Sequence, residues 1–277
     1  MATNAAIVLT IADGAGDDLT VNGTMLDASS ASVVWSGVAP RWIIGAAGNF
    51  IKQSASSSNN WQNFYSGGIA TIPATANWIV RKAGTANPSV TTIGAYYPNL
   101  TFENNTANNW YTTVASTFNG AGGFPTIKGN LDVGGSGTGT LDFLNDCQNP
   151  QATLVLGNVT VKAGSKIRNR GTGLEIRGNL NVNGDINYNG GTGLRKIIFS
   201  GTNNQTINGA GYLLIYDFEV NKAAGTVTLN RPVTIDNNGT FTAGSVVSTT
   251  TNVLTFTDNA TATVSSGSSF VSGPVKK

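Results

Sequence analysis

The sequence predicts an all-β protein, and three of its features support this prediction. Glu, which favours helices, occurs only as Glu103, Glu175 and Glu219 in the 277 residues. No long stretch repeats its apolar residues at the helical period of about 3.6 residues. Short runs of β-branched and other apolar residues instead alternate with turns rich in Gly, Asn, Thr and Ser, a pattern typical of many short strands.

The clearest strand signal is a phrase in which Gly-Asn precedes an apolar-polar-apolar strand. It occurs at residues 129–133, 157–161 and 178–182, so its copies begin 28 and 21 residues apart. Repeats of this length are typical of solenoids, in which each turn of the chain stacks on the turn before it. We therefore predict a parallel β-helix (solenoid) of short rungs, in which the chain lays down one short strand per turn. The alternative with similar strand spacing is a pair of tandem β-sandwiches.

The alternation within each phrase predicts which side chains form the core. The apolar positions would point inwards and stack from turn to turn, whereas Asp132, Thr160 and Asn181 would point outwards. We expect Gly and Asn to supply corners with positive φ. We also expect the asparagines to form hydrogen-bonded ladders between turns.

Similarity over longer distances predicts two copies of one larger module. Residues 19–25, for example, resemble residues 180–186. We assign a first module to residues 1–179 and a second, truncated module to residues 180–277, continuous with the first. Residues from about 49 to 95 have no counterpart in the second copy, so we predict that they form an aromatic-rich insertion.

Composition argues against several functional classes. The net charge of +2, with only 11% charged residues, argues against nucleic-acid binding by a basic face. The absence of His excludes Ser-His-Asp and Cys-His catalysis and removes the commonest metal ligand. Acids are few, and no pair stands out on one strand as a glycosidase pair would. We therefore predict no enzyme, no cofactor and no metal site, although the acidic turn at residues 13–18 resembles part of a calcium loop.

Five phrases of the second copy carry a resemblance to a known family: Phe-Ser-Gly-Thr at 199–202, Gln-Thr-Ile-Asn-Gly at 205–209, Phe-Glu-Val-Asn at 218–221, Val-Thr-Leu at 227–229 and Phe-Val-Ser-Gly-Pro-Val at 270–275. Together they resemble the repeat regions of large cell-surface adhesin-like proteins of Bacteroidota, which the type IX secretion system exports. The resemblance covers most of the second copy and, more loosely, the first. It implies a non-catalytic, extracellular role at the cell surface, as a stalk or an adhesive surface.

The ends of the chain lead to a related expectation. Residues 1–4 lack the basic and apolar regions of a signal peptide, and no apolar run approaches the ~20 residues of a membrane span. The single Cys147 cannot form a disulfide within the chain. We therefore expect a piece of a longer secreted protein, with flanking modules and no membrane insertion.

The predicted insertion and its surroundings supply the first candidate site, a group of flat aromatic side chains beside a cation: Trp61, Tyr65, Trp78, Arg81, Trp110 and Tyr111. Flat rings beside polar groups suit sugar rings, and insertions in repeat proteins often form binding loops. We therefore predict binding of a glycan or surface polysaccharide. The alternative is that these rings pack the insertion onto the solenoid or cap its end.

A second candidate site is basic. Lys166, Arg168 and Arg170 alternate along one predicted strand and would share one outer face, where they could hold an acidic polysaccharide. The alternative is that they only keep the β-surface soluble.

These features together predict a non-catalytic structural and adhesive segment of an extracellular bacterial surface protein, with glycan binding through the aromatic insertion. The alternative function is that of a carbohydrate-active or receptor-binding solenoid, such as a phage tail-fibre module.

Overall fold

A computed structural model describes residues 9–12, 19–27, 33–36, 42–53, 72–85, 87–88, 96–114, 126–145, 152–188, 194–265, 267 and 269–277. Of residues 9–12, 33–36, 113 and 114 it describes the backbone alone. Every regular element in these ranges is a β-strand, and none is a helix. The all-β prediction is therefore confirmed.

The strands of the described ranges are β1 (Leu9–Ala12), β2 (Leu19–Val21), β3 (Thr24–Asp27), β4 (Val33–Ser36), β5 (Trp42–Ile44), β6 (Asn49–Lys52), β7 (Asn77–Lys82), β8 (Tyr96–Tyr97), β9 (Asn99–Asn104), β10 (Trp110–Val114), β11 (Thr126–Ile127), β12 (Leu131–Val133), β13 (Leu141–Asn145), β14 (Thr153–Val155), β15 (Val159–Val161), β16 (Ser165–Asn169), β17 (Gly173–Ile176), β18 (Leu180–Val182), β19 (Asp185–Tyr188), β20 (Lys196–Gly201), β21 (Gln205–Asn208), β22 (Tyr212–Leu229), β23 (Val233–Val247), β24 (Leu254–Phe256), β25 (Thr261–Val264), β26 (Phe270–Ser272) and β27 (Val275–Lys276). Within the same ranges, 23 strands form one sheet, and β1–β4 and β2–β5 form two small parallel pairs.

The large sheet is a parallel β-solenoid, because each of its strands pairs in parallel with strands of the neighbouring turns. Three ladders of stacked strands run along it. The first contains β3, β6, β7, β9, β12, β15, β18, β21, β22, β23 and β26. The second contains β8, β11, β14, β17, β20, β22, β23 and β25. The third contains β10, β13, β16, β19, β22, β23, β24 and β27.

The solenoid prediction is confirmed, but a turn contains more strands than we expected. The three Gly-Asn phrases stack in register on the first ladder, with Leu131 opposite Val159 and Val159 opposite Leu180. From β8 onwards the described turns also contribute strands to the second and third ladders, as β14, β15 and β16 do in succession. The expectation of one strand per turn was therefore wrong: three strands share each turn here, separated by short corners.

The core is the space between the three ladders. In β12, β15 and β18 both apolar residues are buried and the polar residue between them is half-buried, as the alternation predicted. The buried apolar residues form one cluster from Val21 to Ala260. The cluster is aromatic near β5 to β8, where Trp42, Phe50 and Trp78 contact one another with ring centroids 4.7 to 5.3 Å apart. Stacked apolar side chains of this kind exclude water along the whole coil.

Asparagine side chains form the expected ladder at the start of the first ladder's strands. Consecutive turns place Asn at the same position, and we call these residues the asparagine column: Asn49, Asn77, Asn99, Asn130, Asn158 and Asn179. From Asn99 onwards, the side-chain oxygen of each member accepts the backbone N–H of the next turn, over 2.8 to 2.9 Å. This part of the sequence prediction is confirmed.

The glycines of the Gly-Asn phrases have a different role from the one we predicted. None of Gly129, Gly157 and Gly178 has a positive φ. They are required because neighbouring turns approach closely at this corner: a Cβ atom on Gly157 would lie 2.5 Å from the carbonyl oxygen of Gly129. The positive-φ explanation was therefore wrong for these corners.

The predicted insertion is part of the coil wherever the structure describes it. Strands β6 and β7 belong to the first ladder, and Asn49 pairs with Asn77 and Asn77 with Asn99. Residues 54–71, 86 and 89–95 lie outside the described residues. The described parts of the segment are thus turns of the solenoid and do not project from it as a separate loop. At the predicted module boundary the first ladder continues directly from β15 to β18, and the division into two copies stays a prediction.

Candidate functional site

The structure removes two tryptophans from the predicted glycan site. Trp78 and Trp110 are 0% and 1% exposed. Trp78 points into the core because it occupies an inward position of β7, where it contacts Tyr97 with ring centroids 5.5 Å apart. A buried ring cannot stack on a sugar, so assigning these two residues to a glycan site was wrong. Trp61 and Tyr65 lie outside the described residues.

Arg81 lies on the outer side of the first ladder. It pairs with Glu103 across the neighbouring strands β7 and β9, through a contact between Arg81 Nε and Glu103 Oε1. The partner of Arg81 is therefore a carboxylate of the next turn. Tyr111 lies on the third ladder. Arg81 and Tyr111 are on different ladders and do not form the single aromatic site that the sequence suggested.

Tyr111 begins a row of outward residues on the third ladder. Successive Cα partners place Tyr111 opposite Asp142, then Lys166, then Asp185 and then Tyr212. We call these five residues the tyrosine-flanked row. Its two tyrosines are 51% and 54% exposed, and at a strand spacing of about 4.8 Å the row extends over roughly 19 Å along the coil.

Each charged member of the row belongs to an ion pair. Lys166 Nζ lies 3.9 Å from Asp185 Oδ2. Arg168, two residues further along β16, places its Nε 2.7 Å from Asp142 Oδ1. Its guanidinium carbon also lies 4.8 Å from the centre of the Tyr111 ring, in cation-π contact. These two pairs contain two cations and two carboxylates, so their charges balance.

The basic stripe predicted from the sequence thus meets Tyr111 on one face. The alternation is confirmed, because Ser165, Ile167 and Asn169 are buried while Lys166, Arg168 and Arg170 are half-buried. Arg170 follows the end of β16 and donates its backbone N–H to the carbonyl oxygen of Asn145 over 2.8 Å. Because Lys166 and Arg168 each have a carboxylate partner, the stripe offers less free positive charge to a polyanion than the sequence suggested. Polyanion binding itself stays a prediction.

A groove lies beside the row, at the corner between the first and third ladders. It has a volume of about 260 Å³, and its lining residues are Thr140, Leu141, Asp142, Gly164, Ser165, Lys166, Asn183, Gly184 and Asp185. Two of its lining corners are glycines. Gly164 has a φ of 76°, and a Cβ atom on Gly184 would lie 2.1 Å from the carbonyl oxygen of Ser165. Side chains other than Gly would therefore strain or clash at these corners.

Sequence reasoning missed Asp142, Asp185 and Tyr212. Nothing in their local sequence distinguishes them, because the turns that separate them differ in length. The signal is the register: Asp142 and Asp185 hold the same position in consecutive strands as Lys166 does. Once the strands are aligned, the row of outward polar residues between two tyrosines becomes visible.

Two further expectations concern metals and membranes. The acidic turn at residues 13–18 lies outside the described residues. Within the described ranges, no cluster of three or more His, Cys, Asp or Glu side chains could hold a metal ion. No helix in the same part of the chain has the length and apolar character of a membrane span.

Comparisons of the chain with protein-family models, curated proteins and solved structures gave no match.

Proposed function

We propose that this protein is a structural and adhesive segment of an extracellular bacterial surface protein. The observation that carries the proposal is the first ladder, which runs through consecutive turns from β3 to β26 over one continuous apolar core. A coil of this kind extends in one direction, and each turn contacts only its neighbours. It therefore suits a role in which a chain spans distance and presents repeated outer faces.

The described side chains support a non-catalytic role. The carboxylates of the tyrosine-flanked row, Asp142 and Asp185, are held by Arg168 and Lys166. The polar groups of this face are suited to holding a ligand by hydrogen bonds.

Labelling of intact cells tests the proposal. Antibodies raised against the folded chain should label unpermeabilised cells of the bacterium that makes it, and brief protease treatment of those cells should remove the label. A cytoplasmic protein of the same bacterium is the control and should be labelled only after permeabilisation. If the chain behaved like that control, the extracellular role would be wrong.

Incubation with polysaccharides tests the non-catalytic part. The purified chain should release no reducing sugar ends from the polysaccharides that it contacts. A time-dependent release of reducing ends would instead favour a carbohydrate-active solenoid.

A further inference from the structure

We propose that the tyrosine-flanked row binds a linear, uncharged polysaccharide whose chain lies along the coil axis, across β10, β13, β16, β19 and β22. The inference rests on the proposed extracellular adhesive role and specifies the ligand class and the residues for it. This site differs from the glycan site predicted from the sequence. Among the aromatic residues of that predicted site that the structure describes, Trp78 and Trp110 are in the core and only Tyr111 is exposed.

The geometry of the row suits a repeating linear ligand. Its five members are Cα partners on consecutive strands, so their backbone positions repeat at the strand spacing of about 4.8 Å. Tyr111 and Tyr212 stand at its two ends, each more than half exposed. Exposed aromatic rings at both ends of a polar strip offer two stacking surfaces to a polymer that crosses several strands.

Both tyrosine side chains are exposed enough to contact a ligand. Arg168 approaches Tyr111 to 4.8 Å between the guanidinium carbon and the ring centre, yet the side chain as a whole stays 51% exposed. The contact holds the ring against the strand surface and reduces the entropy that it would lose on binding. Preorganised, amphipathic rings of this kind give contact area at low entropic cost.

The charges of the row, together with Arg168 beside it, indicate an uncharged ligand. Asp142 and Asp185 can accept hydrogen bonds from sugar hydroxyls, and Lys166 and Arg168 can donate them. Because the two cations already pair with the two carboxylates, a polyanion would have to compete with Asp142 and Asp185 for them. A neutral polysaccharide can bind without breaking these pairs.

The groove next to the row gives the ligand a second wall. Its lining includes Asp142, Lys166 and Asp185 together with the glycine corners at Gly164 and Gly184. Because the glycines lack side chains, a substituent on the polysaccharide could enter there. Apolar and polar groups that converge on a concave surface are typical of small-molecule and oligosaccharide sites.

Native electrophoresis through gels that contain a polysaccharide tests the proposal. The gels would contain hydroxyethylcellulose, laminarin, dextran or galactomannan as neutral probes and polygalacturonate or heparin as acidic probes. We expect at least one neutral polysaccharide to retard the chain, and we expect added NaCl to leave this retardation unchanged, because salt screens only charge interactions. Replacing either tyrosine, as Tyr111→Ala or Tyr212→Ala, should weaken binding about tenfold, because a lost aromatic contact costs on the order of 1.4 kcal/mol.

Phe270→Ala is the matched control, because Phe270 is a similarly exposed aromatic residue at the last turn of the first ladder. It should bind as the unmodified chain does, and circular dichroism should show that all three variants fold. Three outcomes would overturn the proposal: no retardation by any neutral probe, retardation by acidic probes alone that NaCl abolishes, or equal weakening by Phe270→Ala. Labelling of intact cells is independent of these gels, so this site can fail while the proposed extracellular role stands.

Discussion

The side-chain oxygen of Asn130 accepts the backbone N–H of Asn158, one turn further along the coil, over 2.9 Å. Asn158 in turn accepts the backbone N–H of Asn179 over 2.8 Å. From Asn99 onwards, each asparagine of the column thus accepts a backbone donor of the next turn. The column connects consecutive turns by side chains in addition to the backbone ladder, and it can be tested one residue at a time.

Replacing Asn158 by Ala should destabilise the coil. The Asn158→Ala variant leaves the half-buried N–H of Asn179 without its acceptor, which costs about 1–2 kcal/mol of the free energy of unfolding. Urea unfolding followed by far-UV circular dichroism measures this loss. Asn158→Asp is the control, because its carboxylate keeps an oxygen acceptor at the same position and should lose less than half as much. Equal losses in the two variants would contradict the hydrogen-bond explanation.

Replacing Gly157 by Ala should destabilise the coil through a steric clash. The added Cβ would lie 2.5 Å from the carbonyl oxygen of Gly129, which accepts the backbone N–H of Gly157 over 2.9 Å. The turns would have to separate, so we expect a loss of about 1–3 kcal/mol. The control Gly23→Ala meets no atom within 4 Å and should be neutral or stabilise by up to about 1 kcal/mol. Thermal unfolding of both variants checks the difference, and a similar loss in the two would rule out this clash as the reason for Gly157.

The sequence alone favoured a solenoid over tandem β-sandwiches, although it did not give the number of strands in a turn. Alternation in β12, β15 and β18 identified the buried residues, because strand side chains point alternately to the two faces. The spacing of the Gly-Asn phrases identified the turn length. The alternation is local to each strand and the phrase recurs at similar intervals, so both features survive changes in the corners between the strands.

The functional face could not be predicted in the same way. Tyr111 pairs with Asp142 across 31 residues and Asp142 with Lys166 across 24, because the corners between these strands differ in length. A reader of the sequence cannot align the row without knowing the register. The burial of Trp78 was hidden for another reason, because its strand β7 also buries Lys82 at an inward position. Where both apolar and charged residues point inwards, alternation does not identify the outer face.

The first turns contain a buried ion pair whose removal should be costly. Asp27 Oδ2 lies 3.6 Å from Lys52 Nζ, and both residues are 0% exposed. Asp27→Ala removes this carboxylate from a buried ammonium group, so we expect a loss of about 3–5 kcal/mol. Tryptophan fluorescence during urea unfolding reports on this region, because Trp42 and Trp78 contact Phe50 of the same strand as Lys52.

A double replacement separates the pair from its surroundings. Asp27→Leu combined with Lys52→Met removes both charges and keeps a similar volume, so it should lose clearly less than Asp27→Ala. A double variant as unstable as Asp27→Ala would show that the loss comes from packing and not from an unpaired charge.

A second buried lysine should make stability depend on pH. Lys222 is 1% exposed and donates from Nζ to Gln205 Oε1 over 2.6 Å and to the carbonyl oxygen of Asn203 over 2.8 Å. Burial lowers the pKa of Lys222 below its ordinary value of 10.5. At pH values between the folded and the unfolded pKa of Lys222, the unfolded chain binds more protons than the folded chain. The free energy of unfolding therefore rises as pH increases through this window. It falls again as pH decreases through the folded pKa.

Lys222→Met removes this contribution, so its free energy of unfolding should rise less steeply with pH than that of the unmodified chain. Urea unfolding at several values from about pH 7 to pH 9.5 measures the two slopes. The series stops below the ordinary pKa of tyrosine, because burial raises the pKa of Tyr97 in the folded chain. At higher pH, ionisation of Tyr97 in the unfolded chain would lower the free energy of unfolding and oppose the effect of Lys222. Lys52 also has a pKa lowered by burial and should leave part of the rise in place.

Asn158→Ala is the control: it lowers stability but removes no titratable group, so it should keep the slope of the unmodified chain. An unchanged slope in Lys222→Met would mean that Lys222 stays protonated throughout this range in both states.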